Sequence, residues 1–125
     1  MANPNIVNVA TINGNSNFQN VSTTNTAIVT NTADSGKVFK VNVLNISNID
    51  GVNDADITAY YVANVANVTT NVSYSLAKTI TVPADSTLVL VDKNSSIYLR
   101  EDAAIRLAAS ASGDLQAVCS WEEIS

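Results

Sequence analysis

The feature that most constrains this chain is a two-residue period near its C-terminus. In "AAIRLAA", residues 103–109, Ile105, Leu107 and Ala109 share one parity and Arg106 takes the other. In "LQAVCSWEE", residues 115–123, Leu115, Ala117, Cys119 and Trp121 alternate with Gln116, Ser120 and Glu122. Successive side chains on a strand point to opposite faces, so each stretch reads as a strand with one buried face. A helix would need apolar residues three and four apart. "REDAAIRLAAS" holds helix formers, but its apolar residues alternate and Ser110 to Gly113 ends the run.

The same logic extends along the chain. Runs of Val, Ile, Thr and Tyr broken by Asn, Asp, Gly and Ser predict strands over 5–12, 17–21, 26–30, 37–47, 55–63, 72–82, 86–92, 96–99, 104–110 and 114–122. "NGN" at 13–15 and "ADSG" at 33–36 supply turn residues that tolerate positive φ. "SGD" at 112–114 is short enough to predict a hairpin between the last two strands. Pro83 in "VPAD" lacks a ladder donor and should end its strand. Leu88 and Leu90 oppose Val89 and Val91, which predicts a strand buried on both faces. In "KVFKVNVLNIS", Phe39, Val41 and Val43 are in phase, whereas Leu44 and Ile46 are out of phase with them. A β-bulge near Val43 would return both sets to the core. These elements predict an all-β fold, an antiparallel β-sandwich that is jelly-roll-like. Residues 1–25, Asn-rich and nearly uncharged, are expected as an extended N-terminal arm or edge strands, and residues 26–125 as the sandwich domain. Such an arm can lie along a sheet edge, its own or a neighbour's.

Composition narrows the function. A chain of 125 residues suits one domain with its own core. Charged residues make up 14%, where about a quarter is usual, and Asn alone contributes 17 residues. Such a surface hydrates well but repels other copies weakly. The net charge is −5 and the six basic residues are scattered, which argues against nucleic acid as a partner. No apolar run reaches the ~18 residues of a membrane span. "MANPNIVNVA" lacks the basic-then-apolar pattern of a secretion signal, so synthesis and use without Sec export are expected. The five Asn-x-Ser/Thr sequons, at Asn20, Asn45, Asn67, Asn71 and Asn94, are then expected to stay unmodified. Cys119 is the only cysteine, so no internal disulfide forms, and its alternation marks it as a small buried apolar residue.

Histidine is absent, which removes the commonest general base and metal ligand and any Ser-His-Asp or Cys-His arrangement. In "NISNIDGVNDADITAYYV", residues 45–62, Asp50, Asn53, Asp54 and Asp56 form an oxygen set that Ca²⁺ accepts. The spacing is not that of an EF-hand and no Glu closes the loop, so a polar turn around Asp50-Gly51 is preferred. Asp50, Asp54 and Asp56 remain the weak metal candidates; no catalytic or cofactor residue is assigned, and no cofactor is expected. Glu101-Asp102 and Glu122-Glu123 are poor glycosidase pairs, because neighbours on a strand face opposite ways. Tyr60, Tyr61, Tyr74, Tyr98 and Trp121 could build a sugar platform, although Tyr60 and Tyr61 cannot both face inward.

Several blocks carry a resemblance. "ANPNIVNVATI", "KVFKVN", "SNIDGVNDADIT", "LAKTITVPADSTLVLVDKNSSIYL" and "AVCSWEEIS" together resemble small virion proteins of marine tailed phages, cyanophage-like. The most specific blocks are "VPADSTLVLVDKNSSIYL" and the terminal Ser-aromatic-"EEIS". The chain departs from that pattern at Glu101-Asp102-Ala103-Ala104, where an acidic-Gly-Asp turn is common. The resemblance implies a non-enzymatic particle component present in many copies, and it brings no functional residue with it. The expected role is a capsid decoration or cement protein. Its partners would be other virion proteins, the major capsid protein first and neck or tail proteins second. A homo-oligomer, with a trimer the favoured form, is expected in the virion after synthesis in the host bacterial cytoplasm. The alternatives are a neck or tail component, or a carbohydrate-binding module for host adhesion.

Overall fold

A computed structural model describes residue 4, residues 6–64 and residues 71–125. Among the described residues nine strands follow in order: β1 Ile12–Asn20, β2 Thr26–Asn31, β3 Val38–Asn48, β4 Ala55–Ala63, β5 Val72–Val82, β6 Thr87–Val91, β7 Ile97–Leu99, β8 Ala103–Ala109 and β9 Leu115–Ile124. The one helical element among the described residues is a 3₁₀ turn, Lys93–Ser95, between β6 and β7. Asp92 caps it by accepting the Asn94 and Ser95 N–H groups.

The strands form two antiparallel sheets. The first runs β1-β9-β3-β6, with β7 also on β3, and the second runs β2-β8-β4-β5. With β6 and β7 counted as one interrupted strand, this is jelly-roll order, and the chain is an all-β sandwich. The inner faces meet in one apolar cluster that includes Val41, Leu44, Ile46, Ile57, Leu99, Ile105, Leu107, Leu115 and Cys119, all wholly buried. Trp121 packs inside it, stacked on Phe39 with ring centroids 6.0 Å apart.

The alternations of β8 and β9 fall as the sequence predicts, but their connection does not. β8 pairs with β2 and β4 in the second sheet, and β9 pairs with β1 and β3 in the first. "SGD" is therefore an arch between sheets and not a hairpin; Gly113 takes a φ of 85° within it. Turn chemistry permits both geometries. What decides is that the two apolar faces must meet across the core.

The bulge in β3 is present. Val41 pairs with Trp121 and Val43 with Ser120, so Asn42 is the additional residue. Phe39, Val41, Leu44 and Ile46 then all reach the core, while Val43 moves to the outer face. β6 differs from expectation. It is an edge strand with Val89 about half exposed, and Leu88 and Leu90 only partly buried.

The N-terminal segment also differs. Residues 6–8 form a turn and bend, not the strand expected over 5–12, whose first residue lies outside the described set. "NGN" lies within β1, and its turn propensity is overridden by nine consecutive register pairs with β9. The 1–25 segment thus contributes an edge strand to the protein's own first sheet.

Because Leu107 is wholly buried in β8, Leu107→Asp buries an unpaired carboxylate. A loss of about 4 kcal/mol or more in urea unfolding is expected. A loss below about 1 kcal/mol would place that face outside the core.

Candidate functional site

The loop after β3 gives each of its carboxylates separate partners. Asp50 Oδ1 accepts the Val52 N–H at 2.8 Å and the Asn53 N–H at 3.1 Å, and Oδ2 accepts the Asn53 side-chain amide. These donors, Val52 first, hold the Asp50 carboxyl below its ordinary value. Asp54 accepts the Ala84 N–H, and Asp56 accepts the Thr81 hydroxyl. The three carboxylates therefore close three separate local contacts, two of them onto the segment 81–84. Among the described residues no three Asp, Glu or Cys side chains converge in a metal-holding group. Behind the loop sits the buried Asn48, which the sequence did not single out. Its amide donates to the Asn53 and Val82 carbonyls, and its Oδ1 accepts the Asp50 N–H.

The aromatic residues do not assemble into a platform. Trp121 is buried against Phe39, and its indole N–H donates to Glu123. Tyr61 packs against the core and donates its hydroxyl to the Tyr98 carbonyl across the sandwich. Tyr60 takes the outer parity of β4 opposite Arg106, and Tyr74 lies exposed on β5. Glu101 is buried, and Asp102 adopts a φ of 59° in the tight turn before β8. Aspartate tolerates that left-handed geometry, so the turn forms without a glycine. Of the sequons, Asn20, Asn71 and Asn94 are exposed and Asn45 is half-buried, while Asn67 lies outside the described residues. Cys119 is wholly enclosed, and burial pushes its thiol up to about 12, which keeps it unreactive.

Two accessible features of the first sheet stand out, its outer face and one edge. On the outer face of the first sheet, register aligns the side chains into cross-strand rows. One row is Phe18, Val118, Asn45 and Val89. A second is Asn20, Gln116, Ser47 and Thr87, tied by a Gln116–Asn20 amide bond of 3.1 Å and a Ser47–Thr87 hydroxyl contact of 2.9 Å. A third is Ser16, Ser120 and Val43. The fourth holds the only charges of these rows, Lys40 and Glu122, opposite one another between Gly14 and Tyr98. Phe18 is 77% exposed, unusual for so large an apolar side chain.

The edge is β1. None of its residues is buried, so no apolar core of its own holds it. It is held instead by its ladder with β9 and by polar ties. Asn17 donates to the Ile28 carbonyl of β2 at 2.8 Å. Asn15 donates to Glu123 at 3.1 Å, and Glu123 also bridges Lys37 at 3.1 Å. The Asn15 bond, then Lys37 and Trp121, hold the Glu123 carboxyl below its ordinary 4.5 against a desolvation that pushes it up.

No protein-family model matches the chain, and no curated protein matches it. Among solved structures, a chain from Bacillus endospore appendages, described as "a novel family of disulfide-linked pili", aligns with a TM-score of 0.49 at 13% identity. The alignment covers 92% of this chain and 87% of that one.

Two outcomes follow from this geometry. Millimolar Ca²⁺ should leave the melting temperature unchanged, since a ligand that binds the folded state would raise it; a rise of several degrees would show the 50–56 loop regrouping around the ion. Glu123 has a depressed folded value, so its contribution is present above 4.5 and is lost as pH falls through the lower folded value. Glu123→Gln should therefore be less stable than the parent at neutral pH, with the gap narrowing as pH falls below 4.5. A gap that does not change with pH would remove the charge from the explanation.

Proposed function

We propose that this chain is a non-catalytic structural protein of a phage particle, a decoration or cement protein seated on the capsid lattice. The observation that carries the reading is the outer face of the first sheet. Its rows are neutral apart from one opposed Lys-Glu pair, and they set exposed Phe18, Val118 and Val89 beside a ladder of amides and hydroxyls. Such a face gains apolar burial and hydrogen bonds on docking with little charge to desolvate. The "VPADSTLVLVDKNSSIYL" block and the closing "SWEEIS", which resemble marine tailed-phage virion proteins, supply the particle context. A capsid offers the same site many times over, so a contact that is modest for one copy is reinforced across the shell. On this reading the protein resides in the virion after synthesis in the bacterial cytoplasm, and the major capsid protein is its first partner.

The test is reconstitution. Purified protein should bind expanded capsids that lack it and raise their melting temperature. Phe18→Asp with Val118→Asp should abolish binding while leaving the circular dichroism spectrum unchanged. Binding to tails or necks and not to heads would move the protein within the particle, and binding to neither would end the proposal.

A further inference from the structure

A two-sheet sandwich has four open edges, and three of them here are blunted. β2 is short and bulged at Ile28, between its Ala27 and Val29 register pairs. β5 carries Lys78, register shifts opposite Ala59, and Thr79 at a φ of 46°, a rare conformation for a β-branched residue. The β6–β7 edge is interrupted by the 3₁₀ turn Lys93–Ser95. Bulges, lysines and breaks are the usual means by which sheets avoid pairing with other chains.

β1 has none of these. It runs nine residues in unbroken register with β9, with no charge, no proline and no bulge. Thr11 and Ser125 exchange both backbone bonds, at 3.0 and 2.9 Å, and Val21 donates to the Leu115 carbonyl at 2.9 Å. Odd-numbered residues of this strand therefore face β9. The even ones, Ile12, Gly14, Ser16, Phe18 and Asn20, aim N–H and C=O at the open side, where no described strand lies.

We propose that the open edge of β1 pairs antiparallel with β1 of a second copy, about a two-fold axis at Ser16, joining two first sheets into one. The occupant follows from the comparison of edges. A regular nine-residue edge is matched best by an equally regular partner, and among the described strands only another β1 supplies one. Being uncharged, β1 meets itself without repulsion, although the whole chain carries −5. With Ser16 opposite itself, Gly14 faces Phe18 of the second copy, so the exposed aromatic ring covers a glycine across the strand pair. On the other face Asn15 meets Asn17 and Asn13 meets Gln19, which matches amide with amide. The Ser16 N–H now bonds the Asn15 side chain at 2.8 Å, and pairing exchanges that bond for a carbonyl of the partner. The geometry is two-fold and not the trimer given above as the favoured form, because a ring of three needs a second clean edge. It requires only the edge and not the capsid role, so it is testable on pure protein.

Sedimentation equilibrium of the full chain should give twice 13.1 kDa. Ser16→Lys and Ser16→Glu place like charges face to face at the axis and leave the β9 ladder intact. Each should raise the dimer dissociation constant about fivefold or more, and a one-to-one mixture should restore the dimer. Ser16→Cys should cross-link two chains on mild oxidation, since directly opposed, bonded residues sit about 5.5 Å apart and Cys119 is enclosed. A monomeric parent, a trimer, or a Ser16→Lys dimer as tight as the parent with no Ser16→Cys cross-link would overturn the proposal.

Discussion

The ladder between β3 and β9 organises the molecule. It joins ten residue pairs from Val38–Ile124 to Asn48–Leu115, and it places both longest inward faces at the centre of the first sheet. The single additional residue, Asn42, is what makes the ladder compatible with the core. Without it, Leu44 and Ile46 would turn to solvent whenever Phe39 and Val41 turned inward. Keeping both Leu44 and Ile46 buried, at about 1.5–3 kcal/mol each, exceeds the local cost of one unpaired ladder position. β1 hangs from the far side of β9, β6 and β7 from the far side of β3, and the second sheet packs across the face that this ladder presents.

Loops are held to this frame by buried amides. Asn31, wholly buried, donates to the Lys37 and Leu99 carbonyls and accepts the Ser35 hydroxyl. Asn48 does the same for the 50–56 loop. A buried amide with its donors and acceptors filled fixes one loop geometry, because any alternative leaves a costly unpaired group. Part of the asparagine content is therefore architectural. Other asparagines, Asn13, Asn15, Asn17 and Asn20, sit on β1, where amides fill the polar role that charges have elsewhere without making the strand repel a copy of itself.

The scarcity of ionisable groups and the exposure of one edge have a common origin in composition. A chain with no histidine and 14% charged residues offers few groups whose ionisation can be tuned, and Asp50, Asp54 and Asp56 each close a local loop contact. The same shortage of charge leaves the outer face of the first sheet neutral and one edge unguarded. Faces and edges of that kind interact through shape, backbone pairing and apolar contact.

Strand periodicity was legible because it depends on local alternation. From it come the sandwich class, the inward faces of β8 and β9, the end of β5 at Pro83 and the bulge beside Val43. The site residues were legible only as types: Asp50, Asp54 and Asp56 stand close in sequence, but their separate partners Val52, Ala84 and Thr81 come from the fold. Three things belonged to tertiary structure alone. Which sheet a strand joins separates β8 from β9 across "SGD", because a short turn can serve as hairpin or arch. Whether a strand is central or at an edge exposes Val89, because an apolar run looks the same in both places. The survival of "NGN" as strand depends on a partner more than a hundred residues away, where nine register pairs with β9 outweigh a local preference to turn. Local sequence fixes which way side chains point, and long-range pairing decides what they point at.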